Sequence, residues 1–388
     1  MMRLGGILFL YVLSGCVTDR GKDATSFHVD PGVSVEMDLP YALPEPDETY
    51  CKVTKSYAVK FYERHIDQDQ FSGTFLVAKN GRILFERTSG YYSGEGKRKL
   101  TADDPMHVAS ITKVATAVEI LRLCEKDLID LDTEVRRYLK PFPYEKVTVR
   151  MLLNHRSGLP DYVRFSESIW DQKILMKNKD ILHLLDKHKF PLLFSPGSSY
   201  KYSNTNFALL ALIAEKVTGK YFPDLMKEDI FQPLGMDNTF IMDHKRDTNR
   251  VCQSYDTLSR RVSFNYLDAT YGDKNMYTTA RDLVKLDVAL YSEHFLGDSL
   301  KRQMFRGYSS KNGKNVNYGL GVRIHDHLNK PPLYYHTGWW HGSTGCYAMF
   351  RYDTLCVIAI ANKYTDSVYT VRDLQTHSGK NPFRFRLE

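Results

Sequence analysis

In Met106-His107-Val108-Ala109-Ser110-Ile111-Thr112-Lys113, a hydroxyl and an amine stand three residues apart at the start of an apolar-periodic run. On a helix that spacing puts both groups on one face, a turn apart, so Lys113 reaches the Ser110 oxygen. Serine is a weak nucleophile until a neighbour takes its proton, and lysine can do so only where its surroundings favour the neutral amine. A helix opening at Ser110 also aims backbone N–H groups at the negative charge that develops during attack. Taken alone, the pattern reads equally well as an N-cap serine with a solvated lysine. Ser198-Ser199-Tyr200-Lys201 repeats the spacing, and context separates the two copies. Val114, Val118, Leu121 and Cys124 continue the first as a helix burying one face, whereas Ser195-Pro196-Gly197 marks the second as a loop.

Two further clusters carry matching chemistry. Tyr202-Ser203-Asn204 lies between a Pro/Gly loop and an apolar run over residues 206–218. A phenol near a lysine ammonium ionises more easily and can shuttle the serine proton, and the amide of Asn204 can orient a substrate carbonyl. His336-Thr337-Gly338 ends a short strand ahead of Trp339-Trp340. A strand edge there could align a substrate backbone, with Gly338 leaving room for close approach. Its echo, His377-Ser378-Gly379, sits in a polar tail without a strand. By size and place Trp170, Trp339 and Trp340 are candidates for the wall of an acyl pocket. Zinc-ligand spacing, HExxH and the GxSxG elbow are absent from the sequence, so neither a metal nor a cofactor is expected.

The elements that must position these groups follow from periodicity. A first helix is predicted from Cys51 to about Gln68. Asn80-Gly81 between the β-rich runs 73–78 and 82–86 predicts a tight hairpin, because that turn needs positive φ at both central residues. From about 113 to 314 the signals are mainly helical. After about 315 the period becomes two, with strands at 318–324, 333–337, 345–352 and 355–361, and a last helix through Val368, Val371 and Leu374. This order makes sense if the early hairpin joins the late strands. The expected folded unit is residues 50–388, with a sheet lobe (about 50–112 and 315–388) and a helical lobe (about 113–314). Clefts favour such boundaries.

The chain has 388 residues with 43% hydrophobic and 26% charged, which fits a globular protein of one large or two closely packed domains. The net charge of +7 is spread without a basic block, which argues against nucleic acid as a partner. Arg3 precedes an apolar run from Leu4 to Leu13, too short to span a bilayer and long enough for a signal peptide. Leu13-Ser14-Gly15-Cys16 resembles the lipobox of bacterial lipoproteins. That resemblance implies removal of residues 1–15, lipidation of Cys16 and a tether over 16–49. The membrane partner is then a lipid anchor, and the location is the bacterial envelope, periplasmic or on the outer membrane or surface. Of six cysteines five remain once Cys16 is lipidated, so a disulfide framework is not implied.

Over about residues 70 to 362 the ordered set of motifs resembles the β-lactamase-related serine hydrolases: class C β-lactamases, D-alanyl-D-alanine carboxypeptidases, D-aminopeptidases and esterases. The resemblance rests on Ser110-Ile111-Thr112-Lys113, His155-Arg156-Ser157-Gly158-Leu159, Pro196-Gly197, Tyr202-Ser203-Asn204, Thr279-Ala280-Arg281-Asp282 and His336-Thr337-Gly338. It implies an α/β (α+β) fold with a five-stranded antiparallel sheet, flanking helices and an all-helical lobe. It also implies Ser110 as nucleophile, Lys113 and Tyr202 as the base system, and substrate contacts from Asn204, His336, Thr337 and Gly338. The oxyanion hole would be the N–H groups of Ser110 and Trp339. His336 stands where most class C β-lactamases have lysine, and Gly272 to Tyr277 lacks the paired glycines often found there, so that wall of the cleft is expected to differ. The expected activity is DD-carboxypeptidase-like hydrolysis of D-amino peptides, amides or esters, with peptidoglycan fragments as substrates. A small-molecule esterase or β-lactamase is the alternative, and a catalytically silent lipid-anchored binding protein is the reading from another class.

Overall fold

Asn80 and Gly81 both take positive φ, 53° and 81°, and join β1 (Gly73–Lys79) to β2 (Arg82–Ser89) in the hairpin that the sequence requires. The computed structural model describes residues 39–374, apart from 69–70, 94–97, 249–250, 310–315 and 328–329. The expected signal peptide, Cys16, the expected tether up to residue 38 and His377-Ser378-Gly379 lie outside the described residues.

Ahead of the hairpin runs α1 (Glu48–Phe61), capped by the Asp47 carboxylate on Tyr50 N–H at 2.7 Å and continued by one wider turn, Tyr62–Ile66. Residues 39–47 are not free tether: Leu39, Tyr41 and Leu43 pack against the core. After the hairpin, β3 (Met106–His107) and a 3-10 turn, Ala109–Ile111, lead into α2 (Thr112–Glu125). The helical insert continues through α3 (Val149–Leu153), α4 (Tyr162–Ile169), α5 (Asn178–His188), α6 (Asn204–Thr218) and α7 (Phe222–Met226). It then passes β4 (Phe240–Ile241), α8 (His244–Asp247), β5 (Met276–Thr278), α9 (Ala280–Ala289) and α10 (Asp298–Met304). The chain returns to the sheet as β6 (Val316–Tyr318), β7 (Arg323–His327), β8 (Lys330–Trp340), β9 (Ser343–Phe350) and β10 (Leu355–Ala361).

The main sheet is antiparallel in the order β2-β1-β10-β9-β8-β7-β6, with Gly73 opposite Ala361, so the early hairpin does join the late strands. Among the described residues it has seven strands where the family resemblance implied five. The single strand predicted over 318–324 is broken at Gly319-Leu320-Gly321: Gly321 has φ +78°, and a Cβ there would lie 2.3 Å from that of Ala117 on α2. Close approach to α2 therefore turns the chain, and β6 and β7 extend the sheet as a second hairpin. A small separate sheet, β3-β5-β4, lies within the insert.

Period-two alternation serves two cores. Phe75, Val77, Val357 and Ala359 pack on Phe61, Tyr62, Val368 and Val371 on one face. Leu76, Ala78, Ile358 and Ile360 belong to the larger core shared with α2, α6 and α9 on the other. Fully burying each large apolar side chain contributes about 1.5–3 kcal/mol. The helix predicted through Val368, Val371 and Leu374 is instead a 3-10 segment, Ser367–Asp373, whose three residues per turn put that i, i+3 series on one face. Among the described residues no helix is long and apolar enough to cross a membrane.

Candidate active site

Ala109 carries a φ of +47°, a left-handed conformation that costs a non-glycine residue roughly 1–3 kcal/mol and turns the chain directly before Ser110. The segment is held from two sides. Val108 N–H donates to the Met276 carbonyl at 3.1 Å, and Gly338 lies so close that a Cβ would be 2.2 Å from the Val108 carbonyl. Gly338 lines the cleft, as the sequence suggested, and also makes room for the protein's own Ser110 segment.

Lys113, fully buried in the first turn of α2, donates to three acceptors: Ser110 Oγ at 3.0 Å, Asn204 Oδ1 at 2.9 Å and the Asp273 carbonyl at 2.7 Å. Hydroxyls of α2 fix the segment that carries this carbonyl: Thr116 donates to the Gly272 carbonyl at 2.7 Å, and Thr112 accepts from Met276 N–H at 3.1 Å. The wall over 272–277 is thereby built without paired glycines. Tyr202 Oη donates to Ser110 Oγ at 2.9 Å from the approach to α6, and Asn204, the first residue of α6, donates through Nδ2 to Asp161 Oδ2 at 3.1 Å. Ser110, Lys113, Tyr202 and Asn204 are therefore in one place.

Burial decides the proton inventory. It pulls the Lys113 ammonium down to about 8, against the opposing pull of Asp273 and Asp161 and with the help of the Arg323 charge. Burial pushes the Tyr202 phenol up, and the opposing influence of Arg323 and of the Ser110 hydrogen bond is smaller. The easily ionised phenol expected beside an ammonium is not what this site favours, because desolvation outweighs the neighbouring charges. Tyr202 keeps its proton, and the neutral amine of Lys113 is the accessible base.

Around Ser110 lies a cleft of about 280 Å³ lined by Tyr202, Asn204, Arg323, Thr337, Trp339 and Trp340, among others. β7 begins at Arg323 opposite Tyr335, so β8 runs on past it, and residues 336–340 have no strand partner on that side among the described residues. Gly338 and Trp339 pair with β9, Tyr369 Oη donates to the Gly338 carbonyl at 2.9 Å, and no strand among the described residues covers the edge expected here. His336 does not share the cleft. Its ring is fully buried and bonded to Tyr318 at 3.1 Å and to the Thr337 carbonyl at 2.8 Å, so it is removed from substrate contact. Trp170 is also absent from the cleft, its Nε1 donating to the Ile174 carbonyl at 2.7 Å. A larger cavity of about 450 Å³ shares Trp340 with the cleft but none of Ser110, Lys113 and Tyr202.

The sequence reading missed Asp161, Asp273 and Arg323. Asp161 is the N-cap of α4, and its burial raises its carboxyl. Arg323 stacks over Tyr202 at 5.0 Å and Tyr318 at 5.9 Å, and its Nε has no hydrogen-bond partner among the described residues. Its one sequence signal is a cation within an otherwise apolar strand pattern. Lys274 also lines the cleft, but its ammonium is occupied by Tyr162 Oη, Thr270 Oγ1 and the Asp273 carboxylate.

A two-lobed fold with an SxxK nucleophile helix, a tyrosine on the serine oxygen and an open strand edge defines a serine hydrolase. The Beta-lactamase family model matches residues 59–378, and the chain belongs to that family. It is 32% identical over 318 residues to a penicillin-binding protein of Bacillus subtilis, covering 78% of this chain and 70% of that one. It is 28% identical over 278 residues to the D-aminopeptidase of Brucella anthropi, covering 69% of this chain and 52% of the relative. The crystal structure of a penicillin-binding protein from Bacillus halodurans superposes with a TM-score of 0.70 at 25% identity, over 81% of this chain and 97% of that one.

Because the reactive form of Lys113 is neutral, acylation of Ser110 is expected to accelerate roughly tenfold per pH unit towards about 8 and to level off above it. Mass-resolved acylation rates with an activated ester between pH 5 and 9.5 check this; a flat profile below pH 8 would exclude Lys113 as the base.

Proposed function

We propose that the protein is an envelope hydrolase that cleaves D-aminoacyl peptides, amides or esters through an acyl-enzyme on Ser110. The observation that carries this reading is the double approach to one oxygen, Lys113 Nζ at 3.0 Å and Tyr202 Oη at 2.9 Å from Ser110 Oγ. As Oγ attacks the carbonyl, its proton passes to neutral Lys113, and the N–H groups of Ser110 and Trp339 receive the oxyanion. Losing one such donor typically slows a reaction about a hundredfold or more. The proton on Lys113 then passes through the Tyr202 hydroxyl to the leaving nitrogen or oxygen, so the phenol is left protonated. In deacylation water gives a proton by the same route to Lys113 as it attacks, and Lys113 returns it to Ser110 Oγ. One proton leaves the site and one returns, so the site is restored. Asn204 and Thr337 border the path of the substrate, and the open β8 edge suits an extended backbone.

The substrate class is supported by the D-aminopeptidase named among the relatives and by the location the N-terminus suggests. Removal of residues 1–15 and lipidation of Cys16 would tether the hydrolase where peptidoglycan peptides are within reach. With His336 buried, Arg323 is the cleft's available fixed cation, placed for an anionic group such as the terminal carboxylate of a D-alanyl peptide.

Three outcomes are expected. Intact-mass spectrometry of the soluble mature chain with a penicillin or a D-alanyl ester should show an adduct that Ser110→Ala abolishes; absence of any adduct in the wild type moves the weight to a protein that only binds. Arg323→Met should lower kcat/KM on a D-alanyl peptide with a free carboxylate about 10- to 100-fold, the worth of a charge-assisted contact. The same substitution should change turnover of the C-terminally amidated peptide by less than about threefold on that scale. Radiolabelled palmitate should enter the full-length chain in a bacterial host and be lost in Cys16→Ala; equal labelling of both would remove the anchor from this reading.

A further inference from the structure

We infer that Tyr318 is a positioning residue: with His155 and His336 it forms a hydrogen-bonded strut that locks Tyr202 to the Thr337 strand edge and sets their alignment around Ser110. This inference rests on the acyl-enzyme reading for its kinetic consequence only.

The strut is continuous. His155 Nε2 lies 3.2 Å from Tyr318 Oη, and Tyr318 Oη lies 3.1 Å from His336 Nε2. Backbone groups at its two ends determine every proton in it. At one end Ser203 N–H donates to His155 Nδ1 at 3.3 Å, and the Asn206 amide meets the same nitrogen at 3.0 Å. The Asn206 amide is oriented in turn, because its Oδ1 accepts from Ser157 at 2.7 Å. His155 Nδ1 is therefore an acceptor and Nε2 carries the proton. At the other end the Thr337 carbonyl, 2.8 Å away, can only accept, so His336 Nδ1 carries the proton and Nε2 is bare. One arrangement satisfies both ends: His155 Nε2–H donates to Tyr318 Oη, and Tyr318 O–H donates to His336 Nε2.

Each end reaches the chemistry. Ser203 and Asn206 flank Asn204 at the start of α6, and the His155 ring lies against the Tyr202 ring with centroids 4.3 Å apart. His336 precedes Thr337 on β8. Tyr318 itself meets the edge of the Tyr202 ring at 6.4 Å and lies under Arg323. The strut therefore links the helical lobe to the sheet through the buried interior beside the cleft, and it gives the His-Arg-Ser-Gly-Leu loop a task that substrate contact does not explain. It also accounts for histidine at 336, since a lysine would present a donor where Tyr318 directs its proton. Both imidazoles are fully buried, and the charged or titratable groups around them are Lys113, Arg323, Tyr200, Tyr202 and Tyr318. Burial, reinforced by the positive Lys113 and Arg323, drives both rings well below their ordinary range and keeps them neutral.

The test pairs a spectroscopic and a kinetic measurement on the mature chain. Long-range ¹⁵N–¹H correlation of ¹⁵N-histidine-labelled protein between pH 5 and 8, with assignment by His155→Gln and His336→Gln, should show His155 protonated on Nε2 and His336 on Nδ1, neither titrating. Two Nε2–H tautomers, or titration of either ring, overturns the strut. Tyr318→Phe should lower kcat on a D-alanyl ester by about tenfold to a hundredfold, the scale of a small misplacement of reacting groups, with KM within about threefold. Unchanged kcat overturns the positioning role. If the wild type hydrolyses no D-aminoacyl compound, the functional reading fails while the ¹⁵N pattern still decides the strut.

Discussion

Holding a lysine ammonium out of water is the constraint that the rest of this site answers. A buried ammonium needs its donors satisfied, and Lys113 finds Ser110, Asn204 and the Asp273 carbonyl. Each acceptor then needs its own support. Asn204 leans on Asp161, and Asp273 is carried by a segment that α2 grips through Thr112 and Thr116. The same dryness acts in opposite senses on the two ionisable neighbours of Ser110, since it disfavours charge on either. It loosens the proton of the amine and tightens that of the phenol. One oxygen thus has a proton acceptor and a proton donor beside it at the same pH, without a metal or a charged relay being invoked.

What could be read from the sequence was what local pattern encodes. The hairpin at Asn80-Gly81, the opening of α2 with Ser110 and Lys113, and the placement of Tyr202 and Asn204 before a buried helix are short-range signals, and the fold class follows from their order. What could not be read depends on where strands end and on atoms that every residue has. Asp273 contributes its carbonyl, which no residue type announces. Arg323 reaches the cleft because β7 begins there, a boundary created by the close approach of Gly321 to α2. The strand predicted over 318–324 became two, β6 and β7, for the same reason.

His336 illustrates a different limit. Membership of one three-residue motif implies nothing about sharing a site, because successive strand residues point to opposite faces. Thr337 lines the cleft while the ring of His336 is buried against Tyr318. Gly338 was read as space for a ligand; it lines the cleft and is also space for the main chain at Val108. His336 is part of the frame around the serine, Gly338 serves both frame and cleft, and motif order alone does not separate frame from contact.

The unpaired stretch of β8 has a further consequence. An exposed strand edge invites pairing with another chain and is a hazard for self-association, which proteins usually blunt with short length, charge or cover. Here the open part is confined to residues 336–340 and flanked by the Arg323 cation and by the Ser110 turn packed on Gly338. So short an open edge offers few pairing groups to another chain, which limits the hazard.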